Sequence, residues 1–134
     1  MTNTWMTQEL GQLGETLELR VATARRDGSM RAPVIVWMVR VGDEVYTRSV
    51  NGPGAAWFRG TRVCHEGHVQ AGAVDADVTF VDVGSDDGIH ADIDAAYRAK
   101  YHQYRSPVEH ITSPLARSTT LKLIPRQHLR GEAS

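Results

Sequence analysis

Between Thr16 and Val50 the chain writes three strand-like runs in succession, "TLELRVAT", "PVIVWMVRV" and "VYTRSV". Only the turn signals "DGS" and "VGDE" separate them. Connections this short leave no room for helical crossovers, so the runs must pair antiparallel rather than build a doubly wound parallel sheet. The first run alternates Leu17, Leu19 and Val21 against Glu18, Arg20 and Ala22, the period of a half-buried strand. The second, residues 33–41, is apolar on both faces and reads as a central strand, opened by Pro33 where a missing ladder donor is tolerated.

The same grammar continues downstream. Asn51, Gly52, Pro53 and Gly54 stop the third strand, and Ala55 to Val63 fits two turns of helix carrying Trp57 and Phe58. "HVQAGAV" (68–74) and "DVTFVDV" (77–83) alternate and read as a hairpin joined near Asp75. "GSDDG" reads as a loop. One long helix is expected over 89–104, with Ile89, Ile93, Ala96, Tyr97, Tyr101 and Tyr104 on one stripe. "RSPVEHITSP", with two prolines, reads as a loop before a final strand over 117–126 that Pro125 stops. At the start, Thr7 to Leu13 suits a short helix with Thr7 as its cap, inside an N-terminal helical segment spanning 1–15. Residues 127–134 read as a frayed tail. About six short strands and two or three helices make a mainly β domain, and a small antiparallel barrel with helices outside is its natural solution, because closure removes exposed edges.

Composition narrows the class. The 134 residues fit one domain, 1–134, and can bury roughly two-thirds of the unfolded surface. A net charge of −1 gives no overall field for nucleic acid or an anionic membrane. No run has the length of a membrane span, and the first residues lack a cationic start with an apolar block. The one cysteine, Cys64, offers no internal disulfide and fits a reducing compartment. The expectation is a cytoplasmic protein without nucleic-acid or membrane partners.

The chemistry-bearing residues cluster early. Arg25, Arg26 and Arg31 flank Gly28, so a hairpin there gathers three guanidinium forks suited to phosphate oxygens. The competing reading is three solvated side chains pairing with Asp27, Glu44 or another surface acid. "SVNGPGAAWF" has the order strand, glycine loop, helix, which offers unpaired N–H groups to an anion. Trp37 and Trp57 either flank a flat ring or belong to the core. Tyr97 and Tyr101 are weak catalytic candidates beside Lys100 and His102, and their other reading is packing on the barrel. "CHEGH" (64–68) lacks the His-to-His spacing of a zinc helix, so no metal is expected. No nucleophile elbow, Walker loop, dinucleotide fingerprint or carboxylate pair is present.

Taken in order, "LRVATARRDGSMRAPVIVWMVRVGDEVYTRSVNGPGAAWFRG" resembles the opening of the flavin-binding split β-barrels. The likeness is nearest to the deazaflavin-dependent nitroreductase-like branch and its associated domain-of-unknown-function family. It covers about residues 17 to 83, with weaker agreement at the final strand. The resemblance implies an antiparallel split β-barrel of the FMN-binding type, a homodimer, and FMN or an 8-hydroxy-5-deazaflavin coenzyme in a cleft between barrel and partner. By position it places Arg25, Arg26, Gly28 and Arg31 on the phosphate-holding hairpin and Val34 to Trp37 beneath the ring system. Arg48 and Ser49 fall at the end of the third strand, and Asn51 to Gly54 with Trp57 at the loop and helix start. Two positions depart from the branch: Val50 stands where it tends to have lysine, and Gly60 where it tends to have asparagine. The phosphate site is then either rearranged around Arg48 and Arg59 or lost. The implied function is a flavin- or deazaflavin-dependent oxidoreductase acting on a small organic substrate. The alternative is a cofactor-free barrel that binds a small metabolite at a dimer-interface pocket as carrier, sensor or non-redox cyclase or isomerase.

Overall fold

The structure, a computed structural model, describes residues 4–84 and 87–126. The expected tail at 127–134 and the middle of the "GSDDG" loop lie outside the described residues. Helix α1 (Thr7–Glu15) precedes four strands, β1 (Leu19–Thr23), β2 (Val34–Val36), β3 (Met38–Val41) and β4 (Glu44–Thr47). A 3-10 turn (Gly52–Gly54) and α2 (Ala56–Val63) lead to the β5 (Glu66–Ala71) and β6 (Val74–Asp82) hairpin. Helices α3 (Asp87–Lys100), α4 (Arg105–Ile111) and α5 (Pro114–Arg117) follow, and β7 (Leu121–Pro125) closes the order.

All strand pairs are antiparallel, in the order β2-β1-β5-β6-β7-β4-β3. The two end strands, β2 and β3, are consecutive in the chain and separated only by Trp37. The sheet therefore curls until its ends meet through one residue, giving the mainly β, antiparallel split barrel with flanking helices. Residues 33–41 are accordingly not a central strand. They supply both ends of the sheet, and their two-sided apolarity has another cause. Val36 and Met38 face the barrel interior with Leu19, Val21, Val69, Val78 and Leu123, while Val39 faces a second core formed by Tyr46, Ile93, Tyr97 and Tyr101.

A strand that changes partners must leave backbone groups without ladder bonds, and those need other partners when buried. Here the end of α3, the residue that follows it and Thr47 of β4 supply them. The Tyr101 hydroxyl accepts from the Met38 N–H at 3.3 Å and donates to the Leu17 carbonyl at 2.5 Å. Tyr97 donates to the Trp37 carbonyl at 3.3 Å, and Thr47 does so at 2.7 Å. Lys100 Nζ donates to the carbonyls of Met38 at 2.8 Å and Leu13 at 2.9 Å. Burial pulls the Lys100 ammonium down to about 8 and pushes the Tyr97 and Tyr101 phenols well above the usual tyrosine range.

Other differences from the sequence reading have local causes. Leu17 is exposed because β1 begins only at Leu19. The β5–β6 turn lies at Gly72, whose φ of 58° suits glycine, and Asp75 sits inside β6. The α1 cap is Met6, whose N–H is taken by the Glu9 carboxylate at 2.8 Å. The long helix stops at Lys100, and "RSPVEHITSP" is helical: Pro107 and Pro114 fall in first turns, where a missing N–H is harmless. Among the described residues no helix is long and apolar enough to cross a membrane.

Helix α2 lies so close to β1 that a Cβ on Gly60 would come 2.6 Å from Thr23 Oγ1 and 3.2 Å from Arg31 Nε. Gly60→Ala is expected to cost about 2 kcal/mol through overpacking. Gly11→Ala, in α1 where an added Cβ meets nothing within 4 Å, is expected to stabilise by up to about 1 kcal/mol. Denaturant unfolding of the two variants checks both signs.

Candidate functional site

Beyond Thr47, β4 loses its partner β3, and β2 has no strand on the side away from β1. A cavity of about 390 Å³ lies between residues 34–37 and 48–51, walled by Trp57 from α2 and by Pro107 and Ile111 from α4. It therefore occupies the split itself. Its volume falls in the ordinary range for small-ligand sites.

The candidate residues separate on the structure. Trp37, Arg48, Ser49, Asn51 and Trp57 line this cavity together. Ser49 is fully buried, and its Oγ has no hydrogen-bond partner among the described residues. Its backbone is committed: the N–H donates to Thr119 Oγ1 at 2.8 Å, and the carbonyl accepts from Gly52 at 3.0 Å. The first turn of α2 has neither a side-chain cap bond nor an acidic residue, and Ala55 and Trp57 at its start line the cavity.

The arginines behave individually. Arg25 is exposed and folds back on its own turn, donating to Ser29 Oγ at 3.3 Å and the Met30 carbonyl at 3.1 Å. Gly28, with φ at 91°, closes that turn. Arg26 and Arg59 are exposed, without ion-pair partners among the described residues. Arg31 is laid against Gly60 with its Nε buried and unpartnered, one helical turn along α2 from Trp57. None of the hairpin arginines reaches the cavity lining.

Arg48 is turned inward. Its side-chain exposure is 0%, and Nη1 meets Asp94 at 2.5 Å and the Ile111 carbonyl at 3.0 Å. Nε donates to Thr120 Oγ1 at 2.9 Å, and Nη2 lies 3.2 Å from His90 Nδ1. Arg117 closes on the other Asp94 oxygen. A guanidinium only donates, so His90 Nδ1 must accept here, and Nε2–H donates to the Gly84 carbonyl at 2.8 Å. Arg48 thus braces the cavity wall from behind instead of offering its fork to an anion within it. The sequence carried a signal for this network: His90, Asp94, Tyr97 and Tyr101 follow one helical stripe, which places two polar side chains on the buried face of α3.

Tyr97 and Tyr101 are both 0% exposed and bind backbone carbonyls, so neither hydroxyl is presented to a ligand. Trp37 stacks on Tyr101 with centroids 3.9 Å apart and an interplanar angle of 10°. At "CHEGH", His68 bridges Asp75 and Asp77 on the hairpin surface.

Burial alone would raise the Asp94 carboxyl, but hydrogen bonds and charge from Arg117 and Arg48 outweigh it and hold the group below the usual carboxylate range. Its folded value is depressed, so its stabilisation is complete above about pH 4 and disappears as pH falls through the lowered value. Asp94→Asn leaves Arg48 buried without its counter-charge and is expected to cost about 3–5 kcal/mol at pH 7. The same change should flatten the acid limb of a thermal-midpoint-versus-pH curve.

No curated protein matches the chain in sequence. Among solved structures, the heme storage protein HutZ from Vibrio cholerae superposes with a TM-score of 0.66 at 13% identity, over 95% of this chain and 92% of that one. A FAD-binding protein from Mesorhizobium loti gives 0.57 at 18%, over 95% and 94%. The FAD and heme binding protein from Mycobacterium smegmatis gives 0.53 at 18%, over 90% of this chain and 65% of that one. At such identities the likeness is one of fold, and it agrees with the split barrel. Over residues 9–123 the sequence matches the family described as "Uncharacterized protein conserved in bacteria (DUF2255)", and the chain belongs to that family.

Proposed function

We propose that the cavity in the split binds a flavin-class cofactor, FMN or an 8-hydroxy-5-deazaflavin coenzyme, and that the protein is an oxidoreductase acting on a small organic substrate. The observation that carries this reading is the orphaned, fully buried Ser49 Oγ in a cavity that also contains two indoles and the uncapped start of α2. A buried hydroxyl without a partner carries a desolvation penalty that a ligand acceptor or donor would relieve. Trp37 and Trp57 offer flat apolar area for a ring system, and Asn51 stands at the rim. The cofactor would supply hydride transfer, and the chain's residues bind, orient and exclude water. Arg31 lies against Gly60 of α2.

The structural neighbours include proteins described as storing heme, as binding FAD, and as binding FAD and heme. The flavin reading is favoured because a heme iron takes an axial donor, and the lining of this cavity contains no His, Cys, Met or Tyr. The cofactor-free metabolite pocket keeps one supporting observation, the commitment of Arg48 to Asp94.

We further propose a homodimer, as the resemblance to the split barrels implies. Sedimentation equilibrium is expected to give twice the chain mass. Titration with FMN and with the deazaflavin coenzyme, followed by cofactor fluorescence, should show saturable binding of one of them. Ser49→Ala and Trp57→Ala should each weaken it about tenfold. Indifference of the wild-type protein to both coenzymes would sink the cofactor reading.

A further inference from the structure

A cavity of about 710 Å³ lies outside the split but shares Ile35 and Trp37 with it. It is built on the outer face of the sheet. There the register sets Ile35 opposite Arg20, and Arg20 opposite Gln70, so an apolar, a cationic and an amide side chain stand in one row across β2, β1 and β5. Neighbouring strands are about 4.8 Å apart, so the row leads from the Trp37 indole to the Arg20 fork within the length of a small molecule. Glu18, two residues before Arg20 and lining the same cavity, adds one negative charge. Neither the Arg20 nor the Glu18 side chain has an ion-pair or hydrogen-bond partner among the described residues.

We infer that this cavity is the substrate side of the site and takes an apolar or aromatic molecule bearing a single carboxylate. The ring lies against Trp37, Ile35 and Leu17, and the carboxylate meets Arg20, with the Gln70 amide as a second donor. One guanidinium can hold one carboxylate bidentately. Glu18, on the same edge, repels further negative charge, so a phosphate dianion or dicarboxylate is disfavoured. A donor group beside the carboxylate would instead find an acceptor there. The inference rests on the cofactor reading only for the word substrate, because Arg20, Gln70 and Glu18 line this cavity and not the split.

The test uses isothermal titration of the full chain at neutral pH and low salt with 3-phenylpropionate and its neutral isostere 3-phenylpropanamide, with and without FMN. The acid should bind about tenfold more tightly than the amide. Arg20→Gln should abolish that preference, and Glu18→Gln should increase affinity for the acid by severalfold. Both side chains are exposed, so unchanged thermal midpoints would show that the variants fold. Equal binding of the two probes overturns the proposal, as does a preference that survives Arg20→Gln or no binding because a second copy covers the face. If the coenzymes fail to bind while the Arg20-dependent preference holds, the cofactor reading falls and this site stands. If a coenzyme binds while the acid and the amide bind equally, this site falls and the cofactor reading stands.

Discussion

The barrel depends on one exchange of hydrogen bonds at Trp37 and Met38. A single extended segment pairs with β1 on one side and then with β4 on the other, which closes the sheet but strips local backbone groups of ladder partners. Tyr97, Tyr101, Thr47 and Lys100 replace those partners from the side. The phenols stay neutral in this setting because burial disfavours their charged forms. The cavity exists for the same reason: where the segment has left one partner and not yet met the next, the sheet is open.

A second polar knot stands behind that opening. Arg48, Asp94, Arg117, His90 and Thr120 tie the end of β4 to α3, α5 and the start of β7. Paired buried charges contribute little net stability compared with apolar packing, but removing one member leaves an uncompensated ion, so the arrangement fixes geometry more than it adds stability. Its effect on the site is positional. With the Arg48 side chain drawn inward, the next residue, Ser49, keeps an unpaired hydroxyl at the cavity wall.

The cross-strand rows explain why some residues were legible and others were not. The alternation of β1, β5 and β6 reported their faces directly, and the Gly-Pro-Gly stop located the loop and α2 to within a residue. Proline misled at 105–117, since Pro107 and Pro114 enter helices at their first turns rather than breaking them. Arginine type and spacing alone could not separate Arg48 from Arg31, because both sit beside glycine-rich turns in the sequence. Burial distinguishes them: the inward side chain meets Asp94, 46 residues away.

The sequence by itself determined the antiparallel pairing, the mainly β class and the position of the loop that borders the split, because short turns and a two-residue period act between near neighbours. Only the tertiary structure decided that residues 33–41 form both ends of the sheet, that Arg48 is spent on Asp94, and that Arg20, Gln70 and Ile35 stand in one row. Those outcomes depend on which distant strand or helix a side chain meets once the sheet has curled. Local propensity carries no information about that encounter.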